Sequence, residues 1–460
     1  MQKKIRVIRT SIADKAFLKE EKPLRFKEDS SCPDGIENEV INVYEEVKYQ
    51  EILGLGGAVT DATAALYGRM TPAQRKEVID ALFSPEGLNL RFNRICINSS
   101  DYSEDFYTCD DVEGDTELKH FNIEHDRENI IPMLKEALKV QPGMKIFASP
   151  WSPPAWMKTN GKRELGGKLK EEYRETWALF YARFIKAYAA EGIPVWGLTV
   201  QNEAKAKQWW ESCIYEAAEE RDFVTGFLRP LLDREGLGAT KIFCWDHNKE
   251  RVVDRAMETF GTKRGRDSFD GIAVHWYSGD HFRALDATHQ LFPEKTIIST
   301  ENSTGADLKI PWAICERSVH DIIGNFNNYA SAWVDWNLIL DETGHPYHWD
   351  KERFEATGID GYHPGMRPST PIMYWKKKLK YEPQYYYFGQ FSRYIREGAV
   401  RIASSSYAEP LETCAFLNPD GSVVLVVMNK ADKDMPVVLR CRNHVAPYTM
   451  TKHSIATFLF

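Results

Sequence analysis

Short apolar segments alternate with amphipathic helical segments along most of the chain, and this alternation constrains the fold more than any other feature. The apolar segments lie at residues 52–58, 90–97, 145–149, 195–201, 242–246, 271–276, 296–300 and 332–338. Strands separated by helices pair in parallel, because each crossover returns the chain to the same end of the sheet. Eight such units over about 330 residues predict the α/β class and a (β/α)8 TIM barrel.

Two of the intervening segments carry clear helix signals. Thr71, Pro72 and Gln74 have the order of an N-cap, a first helical residue and a capping-box partner. Residues 171–190 place their aromatic and aliphatic side chains on one face before Gly192. Both segments are therefore predicted to be helices on the outside of the barrel.

The two ends of the chain follow a different pattern, with short strands separated by turn signals. The C-terminal part contains SVVLVVM, PVVLRC and SIATFLF, and the N-terminal part contains KKIRVIRT and VINVYEEV. The N-terminal strands are too few to fold alone, so we predict one antiparallel β-sandwich built from both ends. The predicted boundaries are 1–48 for the N-terminal strands, 49–384 for the barrel and 385–460 for the C-terminal sandwich. Within the barrel, residues 341–382 are predicted to be a loop insertion after the eighth strand.

Composition and charge restrict the ligand and the compartment. The formal net charge is −8 and Lys and Arg form no long block, which disfavours nucleic acid and anionic membranes as partners. No secretory signal and no 18-residue apolar run occur, so we expect a cytoplasmic protein without a membrane span. The 8 cysteines are scattered and include no CxxC pair, which is typical of reduced thiols. The expected partner is a neutral small molecule, and the pattern gives no oligomeric state.

Carboxylates follow two of the predicted barrel strands at the end where ligands bind. Asn202 and Glu203 come after the fourth strand, and Glu301 comes after the seventh. Such a pair can divide glycosidic hydrolysis, because one carboxylic acid protonates the leaving oxygen while the other attacks the anomeric carbon. A separation of about 5 Å gives retention of configuration and a wider one gives inversion, and the sequence leaves that distance open.

Several motifs together resemble glycoside hydrolase family 30, the family that contains acid β-glucosidase (glucosylceramidase). They are GLGGAVTDATA, ASPWSPPAWMKTNG, TVQNEA, HWY, DWNL and FGQFSRYIREGAVRI, in that order from about residue 53 to the C-terminus. The resemblance implies a barrel fused to a β-sandwich and a retaining exo-β-glycosidase that acts on β-glucosides without a cofactor. It also implies a β-glycoside or oligosaccharide as substrate, in carbohydrate or sphingolipid metabolism.

The same resemblance assigns roles to residues around the predicted carboxylates. It implies that Glu203 is the acid/base, that Glu301 is the nucleophile and that Asn202 holds the sugar 2-hydroxyl. Arg94 corresponds to the arginine near the nucleophile, where its charge would keep the carboxylate ionised. Tyr277 corresponds to the tyrosine whose hydroxyl approaches the nucleophile.

Other matching positions are implied to hold the sugar itself. Asp101, Trp151 and Trp336 resemble the groups that bind the far hydroxyls and a sugar face, and His275 lies beside Tyr277 at the end of a strand. For His275, an internally hydrogen-bonded histidine is an open alternative to a catalytic contact. The family commonly has proline after the acid/base, whereas Ala204 follows Glu203 here, and the segment after strand 8 does not match the glucosylceramidase pattern.

Three alternatives stay open at this point. Within the family, the chain could be a β-xylosidase, a β-fucosidase or a β-1,6-glucanase. Outside it, the chain could be a non-catalytic carbohydrate-binding barrel that has kept its aromatic residues. A metal-dependent hydrolase is disfavoured, because the spacing of His345, His348 and Asp350 matches no strong ligand signature, and we predict no metal site.

Overall fold

The computed structural model describes residues 4–29, 38–305, 311–349, 355 and 368–460, and its strands form an open sheet, a closed barrel and a small third sheet. The N-terminal strands are β1 (Lys4–Ser11), β2 (Ala16–Glu20), β3 (Leu24–Arg25), β4 (Lys27–Glu28) and β5 (Val40–Glu51). They belong to the open sheet, and the chain then enters the barrel.

Eight parallel strands close the barrel, and each falls on one of the eight predicted apolar segments. They are β6 (Gly54–Ala58), β7 (Phe92–Ile97), β8 (Lys145–Pro150), β9 (Gly197–Thr199), β10 (Lys241–Asn248), β11 (Gly271–His275), β12 (Thr296–Glu301) and β13 (Ala330–Asn337). The ring closes where β13 pairs with β6. The predicted TIM barrel is confirmed, although β9 is shorter than the segment 195–201.

Helices connect and flank these strands. They are α1 (Asp61–Gly68), α2 (Pro72–Phe83), α3 (Glu124–Glu128), α4 (Ile130–Val140), α5 (Arg174–Ala190), α6 (Ala217–Phe223), α7 (Arg229–Arg234), α8 (Val252–Phe260), α9 (Lys263–Ser268), α10 (Phe282–Leu291), α11 (Pro311–Asn327) and α12 (Pro383–Ser392). Single 3-10 turns occur at Ala155–Met157, Glu171–Tyr173 and Lys249–Arg251, and a π-helical turn at Val224–Leu228 joins α6 to α7. The capping box predicted at Thr71 and Gln74 is present at the start of α2.

The barrel interior is filled by side chains from most of its strands. A buried cluster inside the ring contains Phe92, Phe147, Phe243, Ala273, Ile298, Ala332 and Val334. Gly56 allows β6 to lie against β7, because a Cβ atom at this position would be 1.7 Å from the carbonyl oxygen of Phe92. The close packing below the mouth gives the strand ends a rigid base.

A three-stranded sheet lies at the edges of the segment predicted to be a loop. Its strands are β14 (Ile339–Asp341), β15 (Ile372–Trp375) and β16 (Lys378–Tyr381), with β14 parallel to β15 and β15 antiparallel to β16. The prediction of a loop insertion over 341–382 is therefore wrong at its C-terminal end, where β15 and β16 pair, while at its N-terminal end β14 overlaps it by Asp341 alone. Residues 350–354 and 356–367 lie outside the described residues.

The remaining strands complete the open sheet. They are β17 (Val400–Ser405), β18 (Leu411–Leu417), β19 (Val423–Asn429), β20 (Met435–Cys441), β21 (His444–Met450) and β22 (Ser454–Leu459). As predicted, the two ends of the chain pair, since β1 joins β22 and β5 lies between β17 and β20. The β5–β20 pair is parallel, which departs from the antiparallel prediction. The helix α12 contacts both β1 and β6, and the exact boundaries at 48 and 384 stay predictions.

Two predictions drawn from composition also bear on the described residues. None of their helices is long and apolar enough to cross a bilayer. Their seven cysteines are buried and form no disulfide among themselves.

Candidate active site

A pocket of about 390 Å³ lies at the carboxyl ends of the barrel strands. Seven of the nine predicted site residues line it, namely Asp101, Trp151, Asn202, Glu203, Tyr277, Glu301 and Trp336. The other two, Arg94 and His275, are fully buried and contact the lining residues from below. The structure therefore brings all nine into one site.

The two predicted carboxylates enter the pocket from different strands. Glu301 is the last residue of β12, and Glu203 lies in the loop after β9. The backbone of Glu203 has a left-handed φ of +48°, and its N–H donates to the carbonyl oxygen of Asp246 at 2.8 Å. Such a conformation is unfavourable for a residue with a Cβ atom, so this hydrogen bond helps to fix the direction of the side chain.

Glu301 receives a direct donor on each carboxylate oxygen. Arg94 Nη1 donates to Oε2 at 2.6 Å, and the Tyr277 hydroxyl donates to Oε1 at 2.7 Å. Both bonds hold the carboxylate in one orientation, and the guanidinium also favours its charged form. Glu203 instead accepts one hydrogen bond from a neutral group, the Gln208 amide, at 3.0 Å.

Arg94 fixes the orientation of Asn202 as well. Its Nη2 donates to Asn202 Oδ1 at 3.0 Å and to Asp246 Oδ2 at 2.7 Å, and its Nε donates to Ser149 Oγ at 3.0 Å. A guanidinium has no acceptor, so the amide oxygen of Asn202 must face Arg94. The Asn202 Nδ2 group is left available as a donor to a hydroxyl group in the pocket.

Asp246, which is not among the site residues predicted from the sequence, is the acceptor at the centre of this arrangement. Besides Arg94, the Thr199 and Thr300 hydroxyls donate to it at 2.6 Å, and His275 Nε2 lies 3.0 Å from its Oδ1. Burial raises the pKa of Asp246, but the Arg94 charge and these hydrogen bonds outweigh burial and hold the pKa well below its usual value. Asp246 is therefore a buried anion that positions four other groups.

His275 links Asp246 to Glu203. Its Nδ1 atom lies 3.6 Å from Glu203 Oε1, while its Nε2 contacts Asp246. Burial lowers the pKa of His275, but the charges of Glu301, Asp246 and Glu203 raise it to about 9. The imidazole is therefore charged at neutral pH. It does not line the pocket, and it influences the pocket through the effect of its charge on Glu203.

The surroundings of the two carboxylates shift their pKa values in opposite directions. Burial raises the pKa of Glu203, yet the His275 imidazolium outweighs burial and lowers the pKa below its ordinary value. Burial also raises the pKa of Glu301, and together with the Glu203 charge it exceeds the opposing effects of His275 and Arg94. The charge on His275 thus shifts Glu203 towards its ionised form, whereas burial and the Glu203 charge shift Glu301 towards its neutral form against the effects of His275 and Arg94.

The aromatic residues and Asp101 form other parts of the wall. Trp151 and Trp336 stack on each other with centroids 5.2 Å apart, so one face of each ring is covered by the other. Asp101 Oδ1 is buried without a hydrogen-bond partner among the described residues. Burial, followed by the charges of Glu301, Glu211 and Glu203, raises the pKa of Asp101 well above its usual value. An unsatisfied buried carboxyl in a pocket wall is suited to hydrogen-bonding a hydroxylated ligand.

The histidines discussed for metal binding lie in separate environments. His345 contacts the Thr343 hydroxyl at 2.8 Å, His348 Nε2 lies 3.2 Å from Glu211 Oε1, and Asp350 is outside the described residues. Within the described ranges, one His and carboxylate group is close enough to hold a metal ion, and it consists of Glu203, His247 and His275. His247 is not among the site residues predicted from the sequence.

Known proteins resemble the chain over nearly its whole length. The model of the glycosyl hydrolase family 30 TIM-barrel domain matches residues 52–395, and that of the family 30 beta sandwich domain matches residues 398–458. Putative glucosylceramidase 1 from Caenorhabditis elegans is 34% identical over 402 residues, which are 83% of this chain and 74% of the relative.

Solved structures agree with these family matches. The crystal structure of SrfJ from Salmonella typhimurium superposes with a TM-score of 0.93 at 32% identity, covering 100% of this chain and 99% of SrfJ. An endo-β1,6-glucanase superposes with a TM-score of 0.86 at 26% identity, covering 99% of each chain. The family resemblance of the motifs is thereby confirmed for both the barrel and the sandwich. The chain belongs to glycosyl hydrolase family 30, and it is a glycosidase.

Proposed function

We propose that this protein is a retaining exo-β-glycosidase that hydrolyses β-glucosidic bonds, with Glu301 as nucleophile and Glu203 as acid and then base. The observation that carries the proposal is the unequal environment of two carboxylates in one pocket. Glu301 receives a charged donor from Arg94 and a hydroxyl donor from Tyr277, whereas Glu203 receives a neutral amide donor. A carboxylate held in one orientation by two donors suits a nucleophile, and a carboxyl whose hydrogen bond comes from a neutral amide suits a proton carrier.

The reaction proceeds by two displacements at the anomeric carbon. In the first, Glu301 attacks that carbon while Glu203 protonates the leaving oxygen, and the glycosidic bond breaks. In the second, Glu203 removes a proton from water, the water oxygen attacks the anomeric carbon and the bond to Glu301 breaks. Asn202 Nδ2 donates to the sugar 2-hydroxyl, a contact that strengthens as positive charge develops on the ring.

The size of the pocket supports a sugar as the substrate. Its volume of about 390 Å³ among the described residues is large enough to hold a sugar ring. The nematode relative bears the name of a glucosylceramidase, which supports glucose as the sugar. The aglycone is left open.

A β-1,6-glucanase is the second candidate within the family. It is favoured by the likeness to the endo-β1,6-glucanase, which covers 99% of both chains. The two candidates share the chemistry of Glu203 and Glu301 and differ in whether the chain cuts at an end or inside a polymer.

Two assays test the proposal: a panel of nitrophenyl glycosides with the product anomer followed by NMR, and digestion of a β-1,6-glucan with the product lengths followed. We expect turnover of the β-glucoside, first release of the β-anomer and release of terminal units only. First release of the α-anomer would contradict the retaining mechanism, and cleavage confined to internal bonds of a β-1,6-glucan would favour the second candidate. Absence of turnover on the whole panel would contradict the proposed β-glucoside substrate.

Isosteric variants separate the two carboxylates. Glu301→Gln should abolish turnover, whereas Glu203→Gln should lose about 10²–10⁴-fold on substrates with poor leaving groups and much less in the first step on a dinitrophenyl glucoside. Glu172→Gln, at an exposed position, is the matched control and should retain full activity. Full activity of the Glu301 variant would refute the assignment.

A further inference from the structure

Two imidazole nitrogens converge on the carboxylate of Glu203. His275 Nδ1 lies 3.6 Å from Glu203 Oε1, and His247 Nδ1 lies 3.9 Å from the same oxygen. One ligand atom from each of the three residues lies within 4.8 Å of the other two. Both Nδ1 atoms are buried without a hydrogen-bond partner among the described residues. Such unsatisfied atoms are uncommon in folded proteins, so the cluster requires an explanation.

The backbone and a neighbouring anion fix the directions of the two imidazoles. The pairing of β10 with β11 shifts register between Trp245 and His247, and this bulge turns the His247 side chain towards the mouth. His275 is held through its other nitrogen, since Nε2 lies 3.0 Å from Asp246 Oδ1. A carboxylate that holds the second nitrogen of a histidine is the usual support of a metal-binding imidazole, because it fixes the ring and raises its basicity.

The donor set and spacing suit a tetrahedral metal ion. We propose that Glu203, His247 and His275 form an inhibitory Zn²⁺ site at the mouth of the barrel. Two neutral imidazoles and one carboxylate are common Zn²⁺ ligands, so the ion must displace the Nδ1 proton of His275 into solvent while Nε2–H stays on Asp246. Bonds of about 2.0–2.2 Å place neighbouring ligand atoms about 3.4 Å apart. The contacts of 3.6 and 3.9 Å need only small side-chain adjustments to reach this value. The fourth coordination position of the ion would face the pocket. Glu203 and His247 line the pocket, and His275 contacts Glu203.

Occupation of this site would stop the reaction, and this consequence rests on the proposed function of Glu203. A carboxylate oxygen bound to Zn²⁺ cannot carry the proton that the leaving oxygen needs, and the ion also occupies space beside Asn202 and Glu301. Inhibition should therefore weaken as the concentration of substrate rises. Chelation should restore activity, since the proposed hydrolysis uses no metal step.

Calorimetric titration of the chelator-stripped protein with Zn²⁺ tests the site without reference to activity. We expect one bound ion per chain in the unmodified protein and an affinity lower by about tenfold or more in His247→Ala and His247→Asn. His120→Gln is the matched control, because His120 is exposed on the surface, and it should bind as the unmodified protein does. Equal binding by the His247 variants and the unmodified protein would overturn the site, provided that their thermal unfolding shows they are folded.

Inhibition is measured in parallel, with each variant compared with its own metal-free rate. We expect Zn²⁺ to inhibit the unmodified protein and the His120 variant competitively, and the His247 variants at a concentration higher by at least about tenfold. Loss of activity on chelation would overturn the inhibitory role, because it would make the metal a cofactor. Zn²⁺ binding at this site in a protein inactive on all glycosides would refute the proposed function and leave the site standing. Glycosidase activity without Zn²⁺ binding would refute the Zn²⁺ site and leave the proposed function standing.

Discussion

Replacing Asp246 by asparagine tests the electrostatic arrangement beneath the pocket. The variant keeps the shape of the side chain and removes the anion that faces both Arg94 and His275. The amide oxygen can still accept from Arg94, while the amide nitrogen would face His275 Nε2, which can accept it only when the ring is neutral. We therefore expect His275 to lose its charge at neutral pH.

The distance between His275 and Glu203 sets the size of the effect. Two unit charges 3.6 Å apart interact by about 4.6 kcal/mol at an effective dielectric constant of 20. Loss of that interaction would raise the pKa of Glu203 by up to about 3 units, and relaxation of the site will reduce the change. Because Glu203 must carry a proton in the first step, we expect the basic limb of the profile to move to higher pH by at least about one unit.

The assay is the pH dependence of kcat/KM on an aryl β-glucoside in chelator-treated buffer. Thr300→Val is the matched control, since it removes one hydroxyl donor to Asp246 and changes no charge, and its basic limb should stay in place. A folded Asp246→Asn protein whose basic limb coincides with that of the unmodified protein would show that Asp246 does not control the charge on His275.

Three other predictions concern stability. Folding raises the pKa of His275 from 6.5 to about 9, so its contribution of about 3 kcal/mol is complete below about pH 6.5 and is lost as pH rises through about 9. Denaturant unfolding at pH 6 and pH 9.5 should show this loss in the unmodified protein and a smaller one in His275→Gln. Gly56→Ala should prevent stable folding, because the new Cβ atom would meet the Phe92 carbonyl oxygen at 1.7 Å, and soluble expression with a native thermal transition would contradict this. Thr71→Ala removes the N-cap of α2 and should cost about 1 kcal/mol with unchanged kcat, as a denaturant titration and a rate assay would show.

Local sequence patterns predict much of the fold. The hairpin of β15 and β16, which was not predicted, carries no such pattern. The barrel strands are apolar runs between helical segments, so their number and order could be read from the chain. The hairpin of β15 and β16 could not be predicted in this way, because Lys376 and Lys377 form its turn with left-handed φ values of +48° and +62°. Asn-Gly usually signals such a turn, and two lysines give no such signal.

The site residues likewise divide into those that a local sequence pattern predicts and those that it does not. Glu203 and Glu301 were found because carboxylates that end apolar strands stand out in a barrel. Asp246 also ends a predicted strand, but its role comes from groups on four other strands, which no spacing rule brings together. His247 was missed because positive φ values at Trp245 and Asp246 break the alternation of side chains along β10.

Covalent trapping tests directly whether Glu203 and Glu301 act on opposite sides of one glycosidic bond. Incubation with a 2-deoxy-2-fluoro-β-glucoside bearing a good leaving group should slow the second displacement and leave one sugar bound per chain. We expect peptide mass spectrometry to place that sugar on Glu301, and Glu203→Gln to be labelled when the leaving group needs no acid. A label on another residue, or steady turnover with an inverted product and no label, would contradict the account.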